Sequence, residues 1–203
     1  MKPNMKILVV APMQREYDNF TAALNHFSSL GNEYTVINAG VGKVATAAGV
    51  AKALTARESD LSKGQYDLVV LVGYAAGSRA FKQGQLIIPN KTCYHDTVAP
   101  KGFIPEFDTI YELAGKDDVL VLTGDVFVDT AIANDLEVRF GTKIIYEMEA
   151  AAACQVCVPY GIPVMVLKYI SDVPQDDHNV ESFEEFVNSH TDFTAFVDYL
   201  EKM

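Results

Sequence analysis

Apolar residues along this chain fall into two arrangements: short unbroken runs, and longer stretches that repeat with a helical period. Met5 to Ala11, Asp67 to Gly73 and Ile162 to Ile170 are near-continuous apolar runs. Such runs fit strands covered on both faces, because a half-exposed strand alternates apolar and polar positions. Glu33 to Asn38, Val119 to Thr123 and a short piece from Gln85 to Pro89 read as further strands. Between them lie helical stretches. Met13 to about Phe27 puts Tyr17, Phe20, Ala23, Leu24 and Phe27 on one stripe. An alanine-rich helix runs from Val44 to about Glu58, and Asp129 is placed to cap a helix that ends near Phe140. Ile144 to Glu147 is a short strand running into a helix from Met148 to about Tyr160. A last helical region, about Val180 to Met203, carries Phe183, Phe186, Val187, Phe193, Phe196, Val197 and Leu200, with a break near Ser189. Thr97 to Phe107 and Gln175 to Asn179 are expected to be loops. Alternating strands and helices imply an α/β fold: one domain over residues 1–203, with a mostly parallel central mixed sheet covered by helices.

Composition narrows the function without naming it. A length of 203 residues is enough for a substantial core. A net charge of −11 argues against nucleic-acid or anionic-membrane binding, while leaving room for a small nucleoside ligand. No run is long enough to span a bilayer. Met1 to Ala11 imitates a signal peptide, but it lacks a small-residue cleavage site, so a first strand and a cytoplasmic location are expected. Cys93, Cys154 and Cys157 are too few and odd in number for a disulfide framework. The Cys154-x-x-Cys157 spacing lies mid-helix, where small core residues or a redox or metal pair are both readings.

Chemistry-bearing residues gather at strand ends. Ala39-Gly40-Val41-Gly42-Lys43-Val44 tempts a phosphate-loop reading and fails it, since a Walker loop needs glycine at Ile37 and Ser or Thr at Val44. What remains is a tight turn that lets backbone approach something closely. Gly73-Tyr74-Ala75-Ala76-Gly77 offers the same close approach at the end of a strand. His95-Asp96 is either a catalytic pair or a structural histidine at a strand end. Glu147 and Glu149 bracket a strand-to-helix junction in apolar surroundings, where a helix dipole accounts for one acid more readily than for two. Glu16 follows the first strand, either as a surface acid in a first helical turn or as part of a site. Asp172 closes the last strand. In a covered parallel sheet the ends of these strands meet along one edge. Two acids flanking a bond and a third holding hydroxyls suit cleavage of a glycosidic bond, with Phe127 suited to a flat base.

Read together, these pieces resemble the nucleoside phosphorylase superfamily, and within it the 5′-methylthioadenosine/S-adenosylhomocysteine nucleosidases. The matching segments are Ala11 to Glu16, Ala39 to Val44, Gly73 to Gly77, Tyr94 to Asp96, Thr123 to Val128, Glu147 to Ala150 and Ile170 to Asp172. The resemblance implies that Glu16 activates water and that Asp172, set by Ser171, is the general acid toward N7. Glu149 would bind the ribose hydroxyls with Met148 against the sugar. Phe127 would stack on the purine, with Val128 backbone at its edge. Glu147, Ala75 and Ala76 would complete the nucleoside pocket. It further implies a homodimer, with neither metal nor cofactor. Three departures stand out: Tyr74-Ala75-Ala76 where the family has Ser-Ala-Gly, Lys168 where it has arginine, and a short segment after Asp96. They leave the 5′ substituent open. A phosphate-dependent phosphorylase, a futalosine-type hydrolase and a non-catalytic nucleoside binder stay as alternatives.

Overall fold

The computed structural model describes residues 4–60, 64–97, 99–175 and 179–203. Its elements run β1 (Lys6–Ala11), α1 (Gln14–Leu24), β2 (Glu33–Asn38), α2 (Lys43–Glu58), β3 (Leu68–Gly77), β4 (Leu86–Ile87), β5 (Pro89–Tyr94), α3 (Pro105–Asp108), β6 (Tyr111–Glu112), β7 (Asp117–Thr123), α4 (Thr130–Phe140), β8 (Ile144–Glu147), α5 (Ala150–Cys157), β9 (Val164–Asp172), α6 (Asn179–Ser189) and α7 (Thr194–Lys202). The strands form a nine-stranded sheet with the path β2-β1-β3-β8-β7-β5-β6, and β9 pairs with β3 and β4. Five pairings are parallel: β1 with β2 and β3, β3 with β9, and β7 with β5 and β8. The others are antiparallel. The expected α/β architecture with a mostly parallel mixed sheet is therefore present.

The unbroken apolar runs are explained by two cores, one on each face. Leu8 and Val10 of β1 face a cluster with Val50 and Leu54 of α2 and the alanines of α5. Ile7, Val9 and Ala11 face a second cluster with Phe20 of α1 and Phe196, Val197 and Leu200 of α7. Strands β3 and β9 divide their residues the same way. A period of two places successive side chains on opposite faces, so a strand between two cores is apolar at every position. The alanine run Ala150 to Ala153 is wholly interior, where small side chains let α5 pack closely on α2.

Several boundaries differ from expectation. Gln85 to Pro89 is two strands, β4 and the start of β5, and β6 lies in a stretch not read as strand. The Thr97 to Phe107 segment, of which residue 98 lies outside the described residues, runs into the single four-residue turn of α3. The helix expected from Met148 begins at Ala150 and ends as a 3-10 turn, Val158–Tyr160, around Pro159, which has no N–H to continue the ladder. Helix α1 stops at Leu24, short of Phe27. The break near Ser189 separates α6 from α7. Of the polar Gln175 to Asn179 stretch, residues 176–178 lie outside the described residues, as do residues 1–3 of the amino terminus. Among the described residues no helix is long and apolar enough to cross a membrane.

Candidate active site

The C-terminal ends of β1, β3, β8 and β9 converge on one cavity enclosing about 670 Å³ of non-atom space, part of it open to solvent. Ten residues assigned to the nucleoside site from the sequence border it: Glu16, Ala75, Ala76, Phe127, Val128, Glu147, Met148, Glu149, Ser171 and Asp172, while His95, Asp96, Cys154 and Cys157 do not. Pro12, Met13, Val41, Val126 and Phe183 add to an apolar rim.

Glu16 sits in the first turn of α1, yet it is buried, unlike a surface acid. Its Oε2 accepts the Met13 N–H at 2.8 Å and its Oε1 accepts the Tyr74 N–H at 3.0 Å. The close approach expected at Gly73 is made to this carboxylate: a Cβ at Gly73 would stand 1.9 Å from Glu16 Oε1, and the glycine has φ +139°. Burial raises the Glu16 carboxyl to about 7, with Lys168 and the two backbone donors holding it back and Glu149 adding to the rise.

Asp172 is aimed by an irregularity in β9. Ala75 pairs with Ile170 and Ala76 with Asp172, leaving Ser171 as the extra residue of a bulge. The Ser171 hydroxyl lies 2.6 Å from Asp172 Oδ1 and 3.2 Å from the Ala75 carbonyl. Asp172 Oδ2 is buried with no hydrogen-bond partner among the described residues. Burial raises this carboxyl to about 6, against the lowering effect of Ser171.

The glutamates at the β8–α5 junction do different things. Glu149 Oε1 accepts the Gly42 N–H at 2.9 Å. The tight turn at Gly40 to Gly42 thus brings backbone close to a carboxylate, where a phosphate loop would hold a phosphate. Glu147 borders the cavity, but both its oxygens are occupied. They accept the Ala150 N–H at 3.0 and 2.9 Å, the Glu149 N–H at 2.9 Å and the Thr123 hydroxyl at 2.5 Å. It therefore satisfies the open N–H groups at the start of α5 and holds Glu149 in place. Burial and the neighbouring Glu149 push its pKa up, while Lys168 opposes them.

Phe127 is half exposed at the rim and meets Phe183 edge-on, with ring centroids 6.2 Å apart. Sequence reasoning left Phe183 in a core stripe, because a helical pattern does not reveal which aromatic turns toward a cavity. Lys168 had a signal, being a charge inside an apolar strand. His95 and Asp96 do not act as a pair. Asp96 is gripped by Lys43 Nζ at 2.8 Å, and the His95 ring packs against Gly124. Burial lowers the His95 pKa, with Asp96 opposing it. The cysteines are buried and free. Among the described residues no three His, Cys, Asp or Glu side chains form a group that could hold a metal.

The family model described as the phosphorylase superfamily matches residues 6–197. The 5′-methylthioadenosine/S-adenosylhomocysteine nucleosidase of Buchnera aphidicola subsp. Baizongia pistaciae is 28% identical over 224 residues, covering 93% of this chain and 86% of that protein. The protein of the same name from Chromohalobacter salexigens is 27% identical over 191 residues, covering 82% and 78%. Among solved structures, S-adenosylhomocysteine nucleosidase from Streptococcus pyogenes in complex with 5-methylthiotubericidin gives a TM-score of 0.81 at 19% identity, over 100% of this chain and 98% of that one. The Helicobacter pylori 5′-methylthioadenosine/S-adenosylhomocysteine nucleosidase gives 0.77 at 22%, over 98% and 97%. At these identities the structures speak for a shared fold.

Proposed function

The chain belongs to the phosphorylase superfamily, and from that premise we propose that it is a purine nucleosidase. In this reading it hydrolyses the N-glycosidic bond of 5′-modified adenine nucleosides of the methylthioadenosine type. The observation that carries the reading is an apolar-rimmed cavity bordered by four buried carboxyl groups: Glu147, whose oxygens are taken up by backbone and Thr123, and Glu16, Glu149 and Asp172 in three different states of bonding. Glu16, raised to about 7, takes a proton from the attacking water. Asp172, with a free Oδ2, delivers a proton to the purine N7 and so makes the base a leaving group. Glu149 accepts bonds from the ribose hydroxyls and favours the positive charge that grows on the sugar. Phe127 stacks on the base and Met148 lies against the sugar. Glu147 serves by holding Glu149.

Hydrolysis is favoured over phosphorolysis by charge. Lys168 is the one cation bordering the cavity among the described residues, and it already stands beside Glu147 and Glu149. A phosphate entering there meets more carboxylate than ammonium. The apolar rim of Pro12, Met13, Val41 and Phe183 favours an uncharged thioether-like 5′ group. Buried free cysteines fit a reducing cytoplasm. Exposed apolar residues near the mouth fit cover by a second copy, in a homodimer. The test is incubation with a panel of purine nucleosides, with and without phosphate and with a chelator, and identification of the released base. Adenine release independent of phosphate is expected. Strict phosphate dependence moves the assignment to a phosphorylase, and no release from any nucleoside leaves only a binder.

A further inference from the structure

Lys168 is a lysine in the middle of the apolar strand β9, 1% exposed. A lysine buried alone at such depth gives up its proton. Here burial pushes the pKa down, and Glu149, Glu16 and Glu147 more than offset it, leaving Lys168 above the ordinary lysine value. These carboxylates come from three separate places: the first turn of α1, the end of β8 and the start of α5. Lys168 Nζ stands 3.7 Å from Glu149 Oε2 and 4.0 Å from Glu147 Oε2. Both separations exceed the usual hydrogen-bond length, with Glu149 the nearer and stronger partner, so the ammonium is shared between the two carboxylates. Each carboxylate is instead fixed by backbone N–H groups, those of Met13 and Tyr74, of Gly42, and of Glu149 and Ala150. The lysine thus supplies charge where the backbone supplies place. An ammonium, compact and with three diverging donors, suits carboxylates on different sides, whereas a guanidinium grips one of them with two prongs.

We propose, resting on the nucleosidase reading, that Lys168 is a positioning residue whose buried ammonium, standing beside Glu149 and sharing the cavity wall with Glu16, is the countercharge for both. It acts through these two carboxylates and not on the nucleoside. Asp172, on the same strand, and Tyr74 of β3 border the same cavity and complete the ionisable surroundings.

The test compares Lys168→Met, which removes the charge at similar length, with Lys168→Arg, which keeps it. The Glu16 carboxyl is followed by 13C NMR, its resonance assigned from Glu16→Gln. The wild-type midpoint is expected near 7. In Lys168→Met it moves up by about one pH unit or more, and the alkaline limb of kcat/KM, set by the higher of the two pKa values, moves up with it. Lys168→Arg brings both back toward wild type. An unmoved Glu16 midpoint in Lys168→Met overturns the inference, even if the rate falls. Should that variant fail to fold, 15N NMR of lysine Nζ in the wild-type protein decides. Lys168 remains an ammonium beyond the ordinary lysine range, and an amine that loses its proton near neutrality overturns the inference. Neither titration needs a substrate, so a chain that cleaves no nucleoside sinks the proposed function while these outcomes still decide the role of Lys168.

Discussion

A carboxylate whose two oxygens each accept a backbone N–H has no good amide substitute. In Glu16→Gln the amide NH₂ must face either Met13 N–H or Tyr74 N–H. Turnover is expected to fall by about 10²–10⁴-fold, the usual range for a lost general base. Stability carries a second signature. Glu16 sits at about 7 in the fold against an ordinary 4.5. Its raised value means that its contribution to stability is fully present below the ordinary pKa and is lost as pH rises through 7. Glutamine has nothing to ionise, so the variant gains on wild type between about pH 4 and about pH 8, by on the order of 3 kcal/mol. Denaturant titrations at the two pH values check this, and a constant difference contradicts burial as the cause. The rate profile tests the acid. In the proposed reaction the working form has Glu16 ionised and Asp172 protonated, so kcat/KM should be bell-shaped with its peak between the Asp172 value of about 6 and the Glu16 value of about 7. Asp172→Asn should lose the alkaline limb and level off instead of falling. A bell that survives in the variant takes the proton-donor role from Asp172.

Strand β9 shows how an element aims a residue. Its bulge inserts Ser171 beside Asp172 without using a pairing position on β3, and the inserted hydroxyl bonds the Asp172 carboxylate. That bond favours the charged form and lowers the Asp172 pKa. Ser171→Ala should therefore keep Asp172 protonated to higher pH, which moves the acid limb of kcat/KM, set by the lower of the two pKa values, upward and raises the peak. A uniform loss of rate with the limb unmoved would leave Ser171 a structural role alone. The strand was legible because it lies between two cores and, from Val164 to Ile170, reads apolar apart from Lys168. The bulge was not, since Ile170-Ser171-Asp172 carries no glycine or other mark of irregular pairing. Strand β5 escaped for a related reason. Asn90, Lys91 and Thr92 break its apolar pattern, and β6, its neighbour at the end of the sheet path, covers only two residues.

For the molecule as a whole, alternating apolar runs and helical stretches made the architecture readable, and acids at strand ends made the site readable. What escaped depends on contacts between distant segments. Phe183 meets Phe127 across more than fifty positions of chain, and three carboxylates share Lys168 from separate elements. Surface pattern adds one more expectation. Val44 is 81% exposed at the start of α2 and Phe103 76% exposed before α3, while Val41, Val126 and Phe127 are exposed around the cavity mouth. Isolated apolar residues on a surface mean little, but Val41, Val126 and Phe127 gathered at one cavity call for cover. Light scattering should give twice the chain mass of 22.2 kDa, and Val44→Asp should weaken the pair so that activity falls on dilution. A monomer at micromolar concentration contradicts the homodimer and implies that each pocket is built from one chain.

The contact between Gly73 and Glu16 also orders the paths by which such a chain can change over generations. With glutamate at position 16, any side chain at 73 collides with its carboxylate and forces a left-handed backbone on a residue that resists it. With glycine at 73, a change at position 16 meets no such collision; it costs activity and leaves the Met13 and Tyr74 N–H groups to find other partners. Loss of the glutamate can therefore precede loss of the glycine, while the reverse order is closed. A lineage in which position 73 has acquired a side chain should already have abandoned glutamate at 16, and its descendants should need two coordinated reversions to recover the acid.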